Sequence, residues 1–126
     1  MLRVERSNTI LYCDRWPETA AFYRLLLGDV VTFENDWFVE LAIGDGSHLS
    51  IADVTRATIA PAGGAGLTLS WQVADVETTR RLLVELGIDV TPVIRRFGAS
   101  AIDVHDPEGH RIELWSAAPA VVEPPG

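Results

Sequence analysis

The chain reads as one pattern written twice: a strand, a helix closed by glycine, then three more strands. In the first copy residues 8–13 are β-branched and aromatic, and Pro17 suits the first turn of a helix that Gly28 ends. Strands are then expected at residues 30–34, 38–43 and 48–52, parted by Asn35-Asp36 and Gly44-Asp45-Gly46. In the second copy residues 67–73 form the strand, Asp75 can cap the helix and Gly87 stops it. Strands at residues 90–95, 100–105 and 111–116 complete it. Glu18-Thr19 precedes Gly28, and Glu77-Thr78 precedes Gly87, by the same ten residues. A duplicated βαβββ unit is therefore the architecture this chain encodes, an α+β fold.

The unit boundaries follow from composition. Unit one spans about 7–53 and unit two about 67–116. Residues 54–66 lose periodicity and end in alanine, proline and glycine, which reads as a flexible linker. Their glycines lack the lysine and hydroxyl residue of a phosphate loop. The tail 117–126 holds three prolines and is expected to fray.

The last hairpin is the sharpest local signal. Asp106-Pro107-Glu108-Gly109 has turn chemistry in order: Asp opens it, Pro presets φ, Gly closes it. Alternation on both arms puts Ile102, Val104, Ile112 and Leu114 on an apolar face, and Asp103, His105, Arg111, Glu113 and Trp115 on the other. Val76, Leu82, Leu83 and Leu86 form the apolar set of the second helix, with Trp71 packed beneath it as core.

Bulk properties remove whole classes of function. A formal charge of −8 argues against nucleic acid or an anionic membrane as partner. No long apolar run and no secretory leader pattern is present, and a single cysteine fits a reducing cytoplasm. Cys13 lies in an apolar strand and is expected to be a buried thiol. All ten basic residues are arginine, as in GC-rich bacterial genomes.

By alternation Tyr12, Glu40, Asp103, Glu113 and Trp115 share an inward, cavity-facing parity, as do His48 and His105. Thr68 and Ser70 lie on one strand face. Carboxylates beside aromatic rings suit a planar cation through charge, stacking and cation–π attraction. Arg111, two residues from Glu113, is expected to neutralise it in part. His110 sits in the turn and is expected to be exposed, while Trp16 and Trp37 suit pocket rims or dimer contacts. No serine carries a nucleophile motif, so no catalytic residue is assigned.

The helix Ala21-Phe22-Tyr23-Arg24 with Leu27-Gly28, the start at Val73-Ala74-Asp75, and Asp106-Pro107-Glu108-Gly109-His110-Arg111-Ile112-Glu113-Leu114 together resemble the vicinal oxygen chelate superfamily. Glyoxalase I, extradiol dioxygenases, fosfomycin-resistance and bleomycin-resistance proteins belong to it. The resemblance covers residues 7–116 and implies two βαβββ units in a curved, half-open mixed sheet around a cavity, within a homodimer. It also implies one divalent metal in enzymatic members, held at positions matching Asn8, Ser50, Thr68 and Glu113 here. Only Glu113 is an anionic ligand, and catalytic metals want at least three good donors. The expectation is a metal-free protein of the bleomycin-resistance kind, without cofactor, binding an aromatic or cationic compound such as an antibiotic. Its expected site comprises Asn8, Tyr12, Glu40, His48, Ser50, Thr68, Ser70, Asp103, His105, Arg111, Glu113 and Trp115. The alternative is a metal-dependent lyase, isomerase or dioxygenase with an atypical ligand set such as Glu113, His48 and His105; a third is an accessory domain with no ligand.

Overall fold

A computed structural model describes residues 1–117. The expected frayed tail lies outside the described residues except for Ala117. The chain divides into two compact units.

Unit one opens with β1 (Ser7–Cys13), whose Leu11 and Cys13 are buried. The helix α1 (Trp16–Leu27) carries Pro17 in its first turn, buries Thr19, Ala20 and Tyr23, and ends where Gly28 turns left-handed. Then come β2 (Val31–Glu34), β3 (Phe38–Gly44) and β4 (Ser47–Asp53). They form a mixed sheet in the order β1-β4-β3-β2, with β1 parallel to β4. The helix packs on β3 and β4, over Leu41, Leu49 and Ile51, all fully buried. Each such side chain contributes about 1.5–3 kcal/mol by leaving water.

Unit two repeats the arrangement with β5 (Thr68–Gln72), α2 (Val76–Glu85), β6 (Ile94–Arg96), β7 (Ala99–His105) and β8 (Arg111–Ala117). Its sheet runs β5-β8-β7-β6, again with the first and last strands parallel. The Asp75 carboxylate accepts the Thr78 amide at 3.2 Å, as its capping role requires. The duplication extends to register: Ser50 pairs with Ile10 and Glu40, and Glu113 pairs with Ser70 and Asp103.

Four expectations need correction. The strand expected at residues 90–95 begins only at Ile94. Pro92 has no N–H to give a ladder, and Thr91 is held otherwise, its carbonyl taking the Arg80 Nε–H at 2.9 Å. On α2 only Val76 and Leu83 are buried, whereas Leu82 and Leu86 are exposed; the helix meets its sheet along one narrow stripe. Trp71 is half-buried rather than core.

His110 is buried, not exposed, and the reason is the turn it closes. Residues Asp106–His110 cluster with Met1–Leu67. Asp106 is also buried; its Oδ1 accepts the amides of Glu108, Gly109 and His110 at 3.0, 2.8 and 2.9 Å. Its Oδ2 accepts the Tyr23 hydroxyl at 2.7 Å and lies 2.7 Å from His110 Nδ1. Burial alone would raise the Asp106 carboxyl, but the bonds from His110 and Tyr23 outweigh it and hold the group below the ordinary carboxylate range. Glu108 meanwhile accepts the Asp14 and Arg15 amides at 2.9 and 2.8 Å, covering donors at the start of α1 that no local side chain caps. Within residues 54–66 a 3-10 turn forms at Val54–Arg56, and Gly64 lies so close to Gly109 that a Cβ there would come within 2.3 Å of its carbonyl oxygen.

Candidate functional site

In unit two the sheet register stands Glu113 between Ser70 on β5 and Asp103 on β7. Ser70 Oγ donates to Glu113 Oε1 at 2.8 Å. Arg96, from the edge strand, reaches across β7 and spans both carboxylates. Its two terminal nitrogens each donate to Asp103 at 2.7 Å, and Nη1 also donates to Glu113 Oε2 at 2.8 Å. This fork is the bidentate geometry that suits guanidinium to carboxylate. Arg96 holds both carboxyls below their ordinary range, with Ser70 adding to the effect on Glu113. Two carboxylates bonded to one guanidinium leave one negative charge without a bonded cation, while Arg111 acts on Asp103 only through its charge, without a hydrogen bond.

That charge sits in the wall of a cavity of about 290 Å³ lined by Ser70, Arg96, Phe97, Glu113 and Trp115, together with Ala99 and Ala101. Asp103 itself is 7% exposed and lines instead a shallower recess of about 280 Å³ with Thr91 and His105. His105 is exposed, opposite Arg111. Arg111 does not pair with Glu113: its Nε donates to Thr68 Oγ1 at 3.1 Å, so the expected neutralising partner is replaced by Arg96.

Unit one gathers a different set. Ser50 Oγ donates to Asn8 Oδ1 at 2.7 Å, and Asn8 Nδ2 donates to Glu40 Oε2 at 3.3 Å. Glu40 also takes the Thr32 hydroxyl at 2.7 Å and an ion pair from Arg6. Arg6 and then Thr32 hold its carboxyl low. Here one arginine meets one carboxylate and no charge is left over. His48 is half-buried, and its Nδ1 has no hydrogen-bond partner. Tyr12 lines a neighbouring, mostly apolar cavity of about 330 Å³ with Ile10, Trp37 and Phe38. Trp37 thus meets the rim expectation, while Trp16 is tied to the sheet, its Nε1 donating to the Ile51 carbonyl at 2.8 Å.

Cys13 is buried, and burial, with the charges of Glu108 and Asp106, pushes its thiol up to about 12. It is a packing residue rather than a nucleophile. Arg6, Arg96 and Phe97 are the site residues the sequence pattern does not single out. Arg96 falls just past the expected strand end, and Phe97-Gly98 lacks, at its first position, the asparagine, aspartate or glycine that would mark a two-residue hairpin loop.

The chain matches the Glyoxalase/Bleomycin resistance protein/Dioxygenase superfamily over residues 6–114, and it belongs to that family. No curated protein matches it. Among solved structures it is similar to a lactoylglutathione lyase from Agrobacterium tumefaciens, at 20% identity and TM-score 0.73, over 92% of this chain and 96% of that one. A glyoxalase/bleomycin resistance protein from Catenulispora acidiphila DSM 44928 matches at 18% identity and TM-score 0.71, over 90% and 98%. A glyoxalase/bleomycin resistance protein/dioxygenase from Nocardioides matches at 18% and 0.75, over 99% and 91%. At these identities the likeness is one of fold.

The family implies a divalent metal in its enzymatic members, and the residues here do not fit one. Of Asn8, Ser50, Thr68 and Glu113, three offer neutral oxygens. Asn8 and Ser50 are bonded to each other, Thr68 to Arg111, and Glu113 to Ser70 and Arg96. Among the described residues no group of three or more His, Cys, Asp or Glu side chains is placed to hold a metal ion, so Glu113, His48 and His105 are not gathered into one.

Proposed function

We propose that this chain is a metal-free small-molecule binding protein that sequesters an aromatic cation, of the kind many antibiotics are, in the cavity of its second unit. One observation carries the reading: the Asp103–Arg96–Glu113 group keeps an unbalanced negative charge beside the Trp115 indole in that cavity. A ligand ammonium or aromatic nitrogen cation gains from Glu113 electrostatically, and its ring gains from Trp115 by stacking and cation–π attraction. Arg96 serves by fixing the carboxylate in place before the ligand arrives, which lowers the ordering cost of binding. The family holds resistance proteins beside dioxygenases, so sequestration is a role that the fold accommodates. A homodimer fits the exposed Ile10, Phe33 and Ile59 of unit one, apolar side chains that a second copy can cover.

A thermal-shift screen with planar cationic compounds tests this. A ligand at one hundred times its dissociation constant stabilises by about 2.7 kcal/mol, so a rise of roughly 8–14 °C is expected. The rise should vanish for Glu113→Gln. Elemental analysis of protein purified without chelator should find less than about one-tenth of a divalent metal per chain. A stoichiometric metal that is lost in Glu113→Ala defeats the proposal and favours metal-dependent chemistry.

A further inference from the structure

Only two described residues other than glycine have a positive φ: Asp29, a residue type that tolerates it, and Phe97 at +50°. Phe97 and Gly98 form the two-residue loop between β6 and β7, where Arg96 pairs with Ala99 and Gly98 has φ +77°. Such a loop asks for two left-handed residues and favours asparagine, aspartate or glycine at the first. An aromatic residue there is strained. Burial does not compensate, because Phe97 is fully exposed. Phe97 does, however, stand in the lining of the cavity that also holds Glu113 and Trp115.

We infer that Phe97 is a ligand clamp: a tip residue kept aromatic at a cost in stability so that its ring closes on a planar guest lying against Trp115. The inference rests on the binding reading above and adds a specificity-determining residue to it. Arg96, its neighbour in the chain, anchors the hairpin to Asp103 and Glu113 and so fixes the base of the loop that carries the ring. The clamp selects for flat ligands, since a non-planar cation satisfies Glu113 without filling the space between the two rings.

The test uses the full chain, the planar dyes proflavine and ethidium, and the non-planar cation tetraethylammonium. Phe97→Asn should raise the melting temperature by about 3–6 °C, because asparagine suits the loop. It should also weaken dye binding roughly fivefold to tenfold, leave tetraethylammonium binding unchanged, and Phe97→Tyr should restore dye affinity. A purely structural residue would lose stability on substitution, so a fall in melting temperature for Phe97→Asn overturns the clamp. Dye affinity lost in Glu113→Gln but kept in Phe97→Asn overturns the clamp and leaves the cavity reading standing. If wild type binds neither dye, both fall. If light scattering shows Phe97→Asn converting a dimer to monomer, the ring serves a second copy and the clamp is refuted.

Discussion

Asp106→Ala should be among the most damaging single substitutions in this chain. The carboxylate accepts five hydrogen bonds, from three turn amides, Tyr23 and His110. In the alanine variant the amides of Glu108 and Gly109 can turn to water, since neither residue is buried. Tyr23 and His110 are buried, so each gives up a short bond where water is scarce, at about 1–3 kcal/mol apiece. Adding the loss of turn definition, the expected cost is about 3–5 kcal/mol, or roughly 10–20 °C in melting temperature. Tyr23→Phe, which removes one bond and keeps the ring, should cost about 1–2 kcal/mol. Thermal and urea unfolding at pH 7, followed by circular dichroism, give both numbers. The pH dependence supplies a second check. The folded-state carboxyl lies below its unfolded value of about 3.9, so its contribution is whole above that pH and is lost as pH falls through the folded value. The gap between wild type and Asp106→Ala should therefore shrink in acid below about pH 4. A loss under 1 kcal/mol at pH 7, or a gap that widens in acid, would refute the assignment of Asp106 as the fastener of this turn.

Three further outcomes follow from the same geometry. Cys13 should react with a disulfide reagent at neutral pH only when the protein is unfolded; prompt labelling of the folded chain would show the thiol to be accessible. Gly64→Ala should cost about 3 kcal/mol or more, because backbone strain is joined by a clash with the Gly109 carbonyl, whereas Gly28→Ala meets nothing within 4 Å and should cost only about 1–2 kcal/mol. Equal losses in urea melts would mean the close approach is relieved by loop movement. In Arg96→Met the Glu113 and Asp103 carboxyls should both titrate higher than in wild type by carbon-detected NMR, since Arg96 is the first cause of their depression; unmoved titrations would assign that role elsewhere.

What was legible in the sequence is what local chemistry decides. The turn at Asp106, the Asp75 cap, Pro17 at the head of α1 and the doubled strand pattern each rest on residues within a few positions of one another. Alternation likewise set Ile102, Val104, Ile112 and Leu114 in the core, where all four are found. What escaped depends on distant partners. The burial of His110 is fixed with Tyr23, whose hydroxyl shares its Asp106 oxygen from 83 residues away. Glu113 takes its cation from Arg96, 17 residues back and two strands over, instead of from Arg111 nearby. A strand pattern gives the face on which a side chain lies but not which long, flexible arginine will reach it. The apolar count of α2 overstated its buried face because Leu82 and Leu86 lie off the stripe of Val76 and Leu83.

The two arginines also bear on why one fold serves unrelated chemistries. A carboxylate already hydrogen-bonded to a guanidinium offers a divalent cation fewer open lone pairs and less net charge than a free one. Arg6 takes Glu40 in unit one, and Arg96 takes Asp103 and Glu113 in unit two, both through directional hydrogen bonds. A guanidinium neutralises such a group without offering the open coordination positions that make a metal a Lewis acid. On the reading proposed above, the sheet and its register serve a binding site without a metal, and the residual charge falls in unit two, where two carboxylates share one bonded arginine. On that reading a cationic guest is the partner this imbalance would attract, and Glu113 would meet it without breaking the Arg96 fork to Asp103.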